Sequence, residues 1–246
     1  MYKIMTAGPT QVRENVRMAR SLETTNPDLD VAFCEFYKET CDLLQELLHS
    51  SGTAYILGGE GILGLEAACA SLTEPGDRVL VLDNGIFGKG FADFAKMYGG
   101  EPVLFTSDYQ KPINAAELRA FLEKDSDFKY ATVVHCDTPS GVINDGSVIC
   151  PMLAEFGILS VVDSVAGMFG EYVNVDESQI DILCGGSQKA LSAPAGLTML
   201  WVSDKAMAAM ENRKTPIAAF YANILTFKTY YEDKWFPYTM PISDIY

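Results

Sequence analysis

The chain has 246 residues and a formal net charge of −15, from 18 Lys and Arg against 33 Asp and Glu. That length holds one large domain or two small ones, and 48% apolar with 21% charged residues excludes a wholly disordered chain. The acidic balance argues against nucleic acid or an anionic membrane as partner, because both reward clustered Lys and Arg, yet it leaves room for a local phosphate site.

In chain order, residues 30–48 carry a long helical pattern after Thr25-Asn26-Pro27. Residues 55–57 form a short apolar run, followed by a glycine cluster and an Ala-rich helical stretch over 63–72. Pro75-Gly76-Asp77 marks a turn, and the aliphatic run 78–82 reads as a buried strand. A helix over 87–98 ends at Gly99-Gly100, a strand follows at 102–105, and Asn114 is placed to cap a helix over 114–122. Strands at 130–135 and 159–162 flank a helix over 148–156, and further strands are expected at 180–184 and 197–202. Residues 215–246 are aromatic and interrupted by proline, and they read as an exposed tail in want of a partner surface.

Strands that are apolar throughout and alternate with helices predict an α/β fold, its mostly parallel sheet covered on both faces. Six cysteines, at 34, 41, 69, 136, 150 and 184, form no CxxC pair and read as buried free thiols in a reducing compartment. With only His49 and His135 as imidazoles, no metal site is expected. The chain shows no secretory leader and no apolar run of membrane-spanning length, so it reads as soluble and cytoplasmic.

Gly59-Glu60-Gly61-Ile62-Leu63-Gly64 matches G-x-G-x-x-G between a strand and a helix, and Asp83 follows Gly64 by 19 residues. A dinucleotide site has that spacing. A tight turn that needs glycines and a phosphate site of another kind at the helix start are the competing readings. Glu60 suits neither anion reading unless its side chain points away.

The stronger signal lies downstream. Asp163 ends an aliphatic strand, where a carboxylate is costly to bury without a cation. Lys189 follows the small, glycine-rich Gly185-Gly186-Ser187-Gln188 loop. A protonated pyridine nitrogen would partner the carboxylate, and an aldehyde would consume the amine. Pyridoxal phosphate supplies both, with a phosphate for the helix end at Gly61.

The sequence resembles the class V aminotransferases of fold type I, the alanine–glyoxylate and serine–pyruvate group. The likeness runs from Thr6-Ala7-Gly8-Pro9 to Thr239-Met240-Pro241. Its most specific part is Asp163-Ser164-Val165, followed 26 residues later by Lys189 in Ser187-Gln188-Lys189. Asn84-Gly85-Ile86-Phe87-Gly88 and His135-Cys136-Asp137-Thr138-Pro139-Ser140-Gly141 add to it. The resemblance implies that Lys189 bonds to the cofactor and later moves a proton, and that Asp163 keeps the ring nitrogen protonated. It implies that Phe87 stacks on the ring and Thr138 hydrogen-bonds near it. Gln188, Gly61 and the Ile62 backbone would cradle the phosphate, and Thr239 would be lent to that phosphate by the neighbouring subunit of a homodimer.

The implied fold is the large domain of a type I pyridoxal-phosphate enzyme, a three-layer α/β/α sandwich with about seven strands. Residues 1–20 would form a separate N-terminal segment and 21–246 the cofactor-binding domain. The small C-terminal domain, with the arginine that clamps the substrate carboxylate, is expected to be missing, since Arg213 is the one arginine after Lys189 and stands too early. Glu60 and Ile62 stand where many relatives carry Ser or Thr, and Phe236 stands where some carry Tyr. The implied activity is amino transfer between a small amino acid, such as alanine, serine or 2-aminoethylphosphonate, and pyruvate or glyoxylate. It is expected to be slow in this chain unless Arg13 or Arg17 supplies the clamp. The rivals are a pyridoxal-phosphate lyase or desulfurase, a truncated domain with little turnover and, more distantly, an NAD-dependent dehydrogenase.

Overall fold

The computed structural model describes residues 2–246. The chain opens with a short helix α1 (Glu14–Ala19) and a long helix α2 (Val31–Leu47), whose first turn is capped by Asp30 accepting the Ala32 N–H at 2.9 Å. Phe33, Tyr37, Cys41 and Leu44 recur at helical spacing on the buried face of α2. Then come β1 (Thr53–Gly58), α3 (Gly61–Leu72), β2 (Arg78–Asp83), α4 (Ile86–Met97), β3 (Glu101–Thr106), α5 (Ala115–Leu122) and β4 (Tyr130–Val134). A small hairpin, β5 (Cys136–Asp137) with β6 (Val142–Ile143), leads into α6 (Gly146–Glu155), β7 (Leu159–Asp163), β8 (Ile182–Gly186), β9 (Leu197–Val202) and α7 (Asp204–Glu211). A 3-10 turn (Ile224–Phe227) and the short helices α8 (Tyr230–Asp233) and α9 (Ile242–Ile245) complete it.

The seven long strands form one sheet in the order β1-β9-β8-β7-β4-β2-β3. All neighbours are parallel except β9, which runs against both β8 and β1. Strands β4, β7, β8 and β9 are buried at every residue, as a sheet covered on both faces requires. Helices α3 and α4 pack on each other, as do α5 and α6. The strand order reverses at β2, which lies between β3 and β4. In such folds the ligand crevice opens beyond the carboxyl ends of the strands at that reversal. The loops after β2, β4, β7 and β8 therefore converge on one place.

The last thirty or so residues correct the expectation of an exposed tail. Phe227, Tyr230 and Phe236 are buried, while Phe220, Tyr221 and Trp235 keep exposed faces. Phe236 stacks on Tyr230 at 5.4 Å between ring centroids and meets Tyr37 edge-on at 4.9 Å. The physical reason is that β1 is an edge strand, and a buried edge must be covered and satisfied. The Tyr37 hydroxyl does both, accepting the Ile56 N–H and donating to the Ile56 carbonyl, each at 2.8 Å. Tyr37→Phe orphans both groups and is expected to lower unfolding free energy by about 2–4 kcal/mol, read as a fall in urea midpoint at unchanged slope. An unchanged midpoint would mean that the edge is solvated.

Arg213 also finds its place here. Its guanidinium donates to the carbonyls of Thr73 at 2.6 Å and Ser71 at 3.1 Å, the groups that the end of α3 leaves without helical partners. It ties the tail to that helix and stands apart from the crevice.

Candidate active site

Asp163 is the last residue of β7, and its Oδ1 accepts the Val165 N–H at 2.9 Å. The aspartate loop is braced from β4: the His135 N–H donates to the Asp163 carbonyl at 2.8 Å, and His135 Nδ1 pairs with Ser164 Oγ at 2.9 Å. Burial holds the His135 imidazole below its usual titration range. Burial pushes the Asp163 carboxyl up to about 6, against the Val165 N–H and Lys189, which favour its charge, while Asp137 and Glu60 add to the rise. A carboxylate this costly to ionise forms no ion pair among the described residues, as expected where a ligand supplies the cation.

Lys189 sits in the turn after β8. Ser187 shapes that turn, its hydroxyl donating to the Pro194 carbonyl at 2.6 Å and accepting the Leu197 N–H at 3.2 Å. On the β2 side, Asn84 fixes the approach to α4 by donating to the carbonyls of Asp108 and Lys111, both at 2.9 Å. Phe87, in the first turn of α4, keeps 39% of its surface exposed. The Asp137 carboxylate accepts the Ser140 hydroxyl at 2.7 Å and closes the turn that carries Thr138.

One cavity of about 380 Å³ joins these groups, with Lys189, Asp163, Phe87, Thr138, Gln188 and Ile62 in its wall. Gly61 is buried just behind, so close to the aspartate loop that a Cβ there would come within 2.8 Å of Val165. Thr239 is elsewhere: it is exposed and donates to Asp28 at 2.8 Å. A larger depression of about 490 Å³ borders His135, Asn144 and Glu171 but contains neither Lys189 nor Asp163.

Several lining residues were not predicted from sequence, Leu65, Ala166 and Ala195 among them. Gly8 and Pro9 form part of the wall, reaching it from the far end of the chain. Cys136, expected among the buried thiols, lines the cavity too. Burial, with Glu171 and Asp137 nearby, raises its thiol, which disfavours the thiolate that nucleophilic sulfur chemistry requires. No arginine is among the lining residues described, and Arg13 and Arg17 are both exposed.

Glu60 answers the question its sequence position raised. Exposed at the cavity rim, it caps α3: Oε1 accepts the Ile62 N–H at 3.1 Å, and Oε2 accepts from Gln188 Nε2 at 2.9 Å. Two groups expected to cradle a phosphate are thus engaged by a carboxylate. Gln188 Oε1 is buried without a partner among the described residues. Asp83, the acid of the dinucleotide reading, is spent inside the fold on the hydroxyls of Tyr109 at 2.5 Å and Thr106 at 3.1 Å.

Tested against pyridoxal phosphate, the ring end fits: a buried acid without a cation, a lysine and an aromatic face share one cavity. The phosphate end fits only if the Glu60 carboxylate gives way.

Comparison with known proteins places these residues in company. The family model for aminotransferase class V matches residues 24–229. The chain is 35% identical to a pyridoxamine–pyruvate transaminase of Mesorhizobium japonicum, over 98% of its own length and 61% of the relative's. A solved pyridoxamine–pyruvate aminotransferase from Mesorhizobium loti superposes with a TM-score of 0.93 at 33% identity, covering 99% of this chain and 62% of that one. The ureidoglycine–glyoxylate aminotransferase of Bacillus subtilis gives 0.94 at 28% identity, covering 100% and 64%. The chain therefore spans about three fifths of the length of these relatives.

Proposed function

The chain belongs to the class V aminotransferases, and from that premise we propose that it moves an amino group between a small amino compound and a 2-keto acid on a pyridoxal ring held at Lys189. Class V aminotransferases are pyridoxal-phosphate enzymes. The observation that carries the reading is the opening of Asp163 and Lys189 into one cavity beside Phe87 and Thr138. When bound, the ring is an electron sink for the substrate's α-carbon. Asp163 would hold the proton on the ring nitrogen, and a cation at that point would draw its carboxyl back toward full ionisation. Lys189 Nζ would hold the ring through its carbonyl carbon, with loss of water, and once released by the substrate amine it would be the base placed to move the proton at the substrate's α-carbon. Phe87 would cover a ring face, and the Thr138 hydroxyl would orient the ring edge.

The names of the relatives support pyruvate or glyoxylate as acceptor and alanine among the donors. A homodimer in which Thr239 leaves Asp28 for the partner's site, and a cytoplasmic location, complete the proposal. Among the described residues no helix is long and apolar enough to cross a membrane. Among the described residues no arginine lines the cavity, and turnover by this chain is expected to be slow, because orientation supplies several kcal/mol of barrier lowering. The test is a single turnover: protein loaded with pyridoxal phosphate and given excess alanine forms pyruvate in proportion to protein, and Lys189→Ala forms none. Pyruvate at the level of protein-free cofactor would overturn the proposal.

The position of Glu60 favours a second reading, in which the ring enters without its phosphate. Pyridoxamine would then be the amino donor rather than a resident cofactor, and pyruvate the acceptor, as the name of the 35% identical relative has it. A carboxylate on the Ile62 N–H and the Gln188 amide repels a phosphate dianion but tolerates a hydroxymethyl group, which donates a hydrogen bond.

A further inference from the structure

The N-terminal segment does more than wall the cavity. Thr10 lies 179 residues from Lys189, and no motif links the two. Its N–H donates to the Gln188 carbonyl at 2.9 Å, and its hydroxyl donates to the Lys189 carbonyl at 2.7 Å. These are the carbonyls of the two peptide planes that flank the Lys189 Cα. Fixing both planes fixes the backbone dihedrals at that residue, and with them the direction of its Cα–Cβ bond. The Lys189 carbonyl also accepts the Ser192 N–H at 2.9 Å, so both its lone pairs are used. Two residues earlier in the segment, Gly8 lies against the lysine side chain. A Cβ there would come within 2.5 Å of Nζ and 2.6 Å of Cε.

We propose that Thr10 and Gly8 are positioning residues for Lys189: Thr10 locks the backbone from which the lysine projects, and Gly8 is the bare floor over which its amine travels. The chemistry requires such a division. Nζ must reach the ring carbonyl, withdraw, and then reach the substrate's α-carbon. A side chain with four rotatable bonds does this in register only from a fixed root. A threonine that merely tethered the terminus would not need to grip both carbonyls around the lysine.

The inference rests on Lys189 being the ring-bearing lysine, and the experiment separates the two. The intact chain is mixed with free pyridoxal, the growth of the absorbance band is timed, and borohydride with peptide mapping locates the label. Thermal midpoints are taken in parallel. Thr10→Val is expected to slow capture at Lys189 roughly tenfold or more at a pyridoxal affinity within about threefold, and Thr10→Ser to restore the rate. Gly8→Ala is expected to slow capture by about a hundredfold or divert the label to another lysine; since Gly8 has a φ of +158°, the midpoint is expected to fall as well, and capture is timed well below it. Capture at the wild-type rate by Thr10→Val or by Gly8→Ala would overturn the inference, as would Thr10→Ser being as slow as Thr10→Val. Absence of label on Lys189 in the unaltered chain would instead overturn the functional reading beneath it.

Discussion

Asp163→Asn is expected to stabilise the ligand-free chain at neutral pH while nearly abolishing exchange of the substrate's α-proton. Burial lifts this carboxyl to about 6 from an ordinary 3.8. The native state thus holds the proton more tightly than the unfolded chain does. Stability from this group is full below pH 3.8, falls as pH rises through 6, and is flat above. At pH 7 the buried charge costs the empty fold about 3 kcal/mol. Asparagine keeps the hydrogen bond from Val165 and removes the charge, so it gains up to about 3 kcal/mol at pH 7 and nothing below pH 4. The same change removes the partner of the ring nitrogen. Cutting one side of a buried ion pair costs about 3–5 kcal/mol, a loss of roughly two to nearly four orders of magnitude in exchange rate. Urea titrations at the two pH values and deuterium exchange into alanine check the two halves. Equal stability gains at both pH values, or exchange at the unaltered rate, would remove Asp163 from its role.

Glu60→Ser is expected to turn the site toward phosphate. Its loss frees the Ile62 N–H and Gln188 Nε2 and removes a negative charge from the place where a dianion would sit. Like charges about 4 Å apart repel by about 1 kcal/mol in water and about 4 kcal/mol near a protein surface. Glu60 is exposed, so the affinity ratio of pyridoxal phosphate to pyridoxal should rise by about tenfold to a hundredfold rather than more. Glu60→Gln keeps the bulk and loses the charge; it should recover most of the shift if repulsion is the cause and little if occlusion is. A parent chain that already prefers pyridoxal phosphate, with a ratio untouched by either substitution, would show that the carboxylate swings clear and would leave the second reading without support.

Much of the sheet was legible because it is built from continuous aliphatic runs. The strand expected over 78–82 is β2 at Arg78–Asp83, the pattern over 30–48 is α2 at Val31–Leu47, and Asn114 caps α5 as expected, accepting the Ala116 N–H at 3.0 Å. The direction of β9 was not legible, since a buried strand reads alike either way. Helix α7 was missed, although Ser203 before an Ala- and Met-rich stretch is a readable start, its hydroxyl accepting the Ala206 N–H at 3.0 Å. The tail misled because aromatic content says nothing about which surface it covers, and the edge of β1 is defined only once the sheet is assembled. At the site, Asp163 and Lys189 announced themselves by chemistry, one a carboxylate ending an apolar strand and the other an amine in a glycine-rich loop. Glu60 was noticed as an anomaly, but its direction depends on Gln188, 128 residues away. Thr10 left no signal at all, since a threonine becomes a brace only through the carbonyls it meets.

The most direct measurement is the location of the covalent label. The protein is incubated with pyridoxal or its phosphate, reduced with borohydride, digested, and the pyridoxyl group is placed by peptide mass mapping. The account predicts a single modified peptide carrying the group on Lys189, at a stoichiometry approaching one per chain and lost in Asp163→Ala at the same ligand concentration. Label spread over surface lysines, or concentrated on any residue other than Lys189, would contradict it.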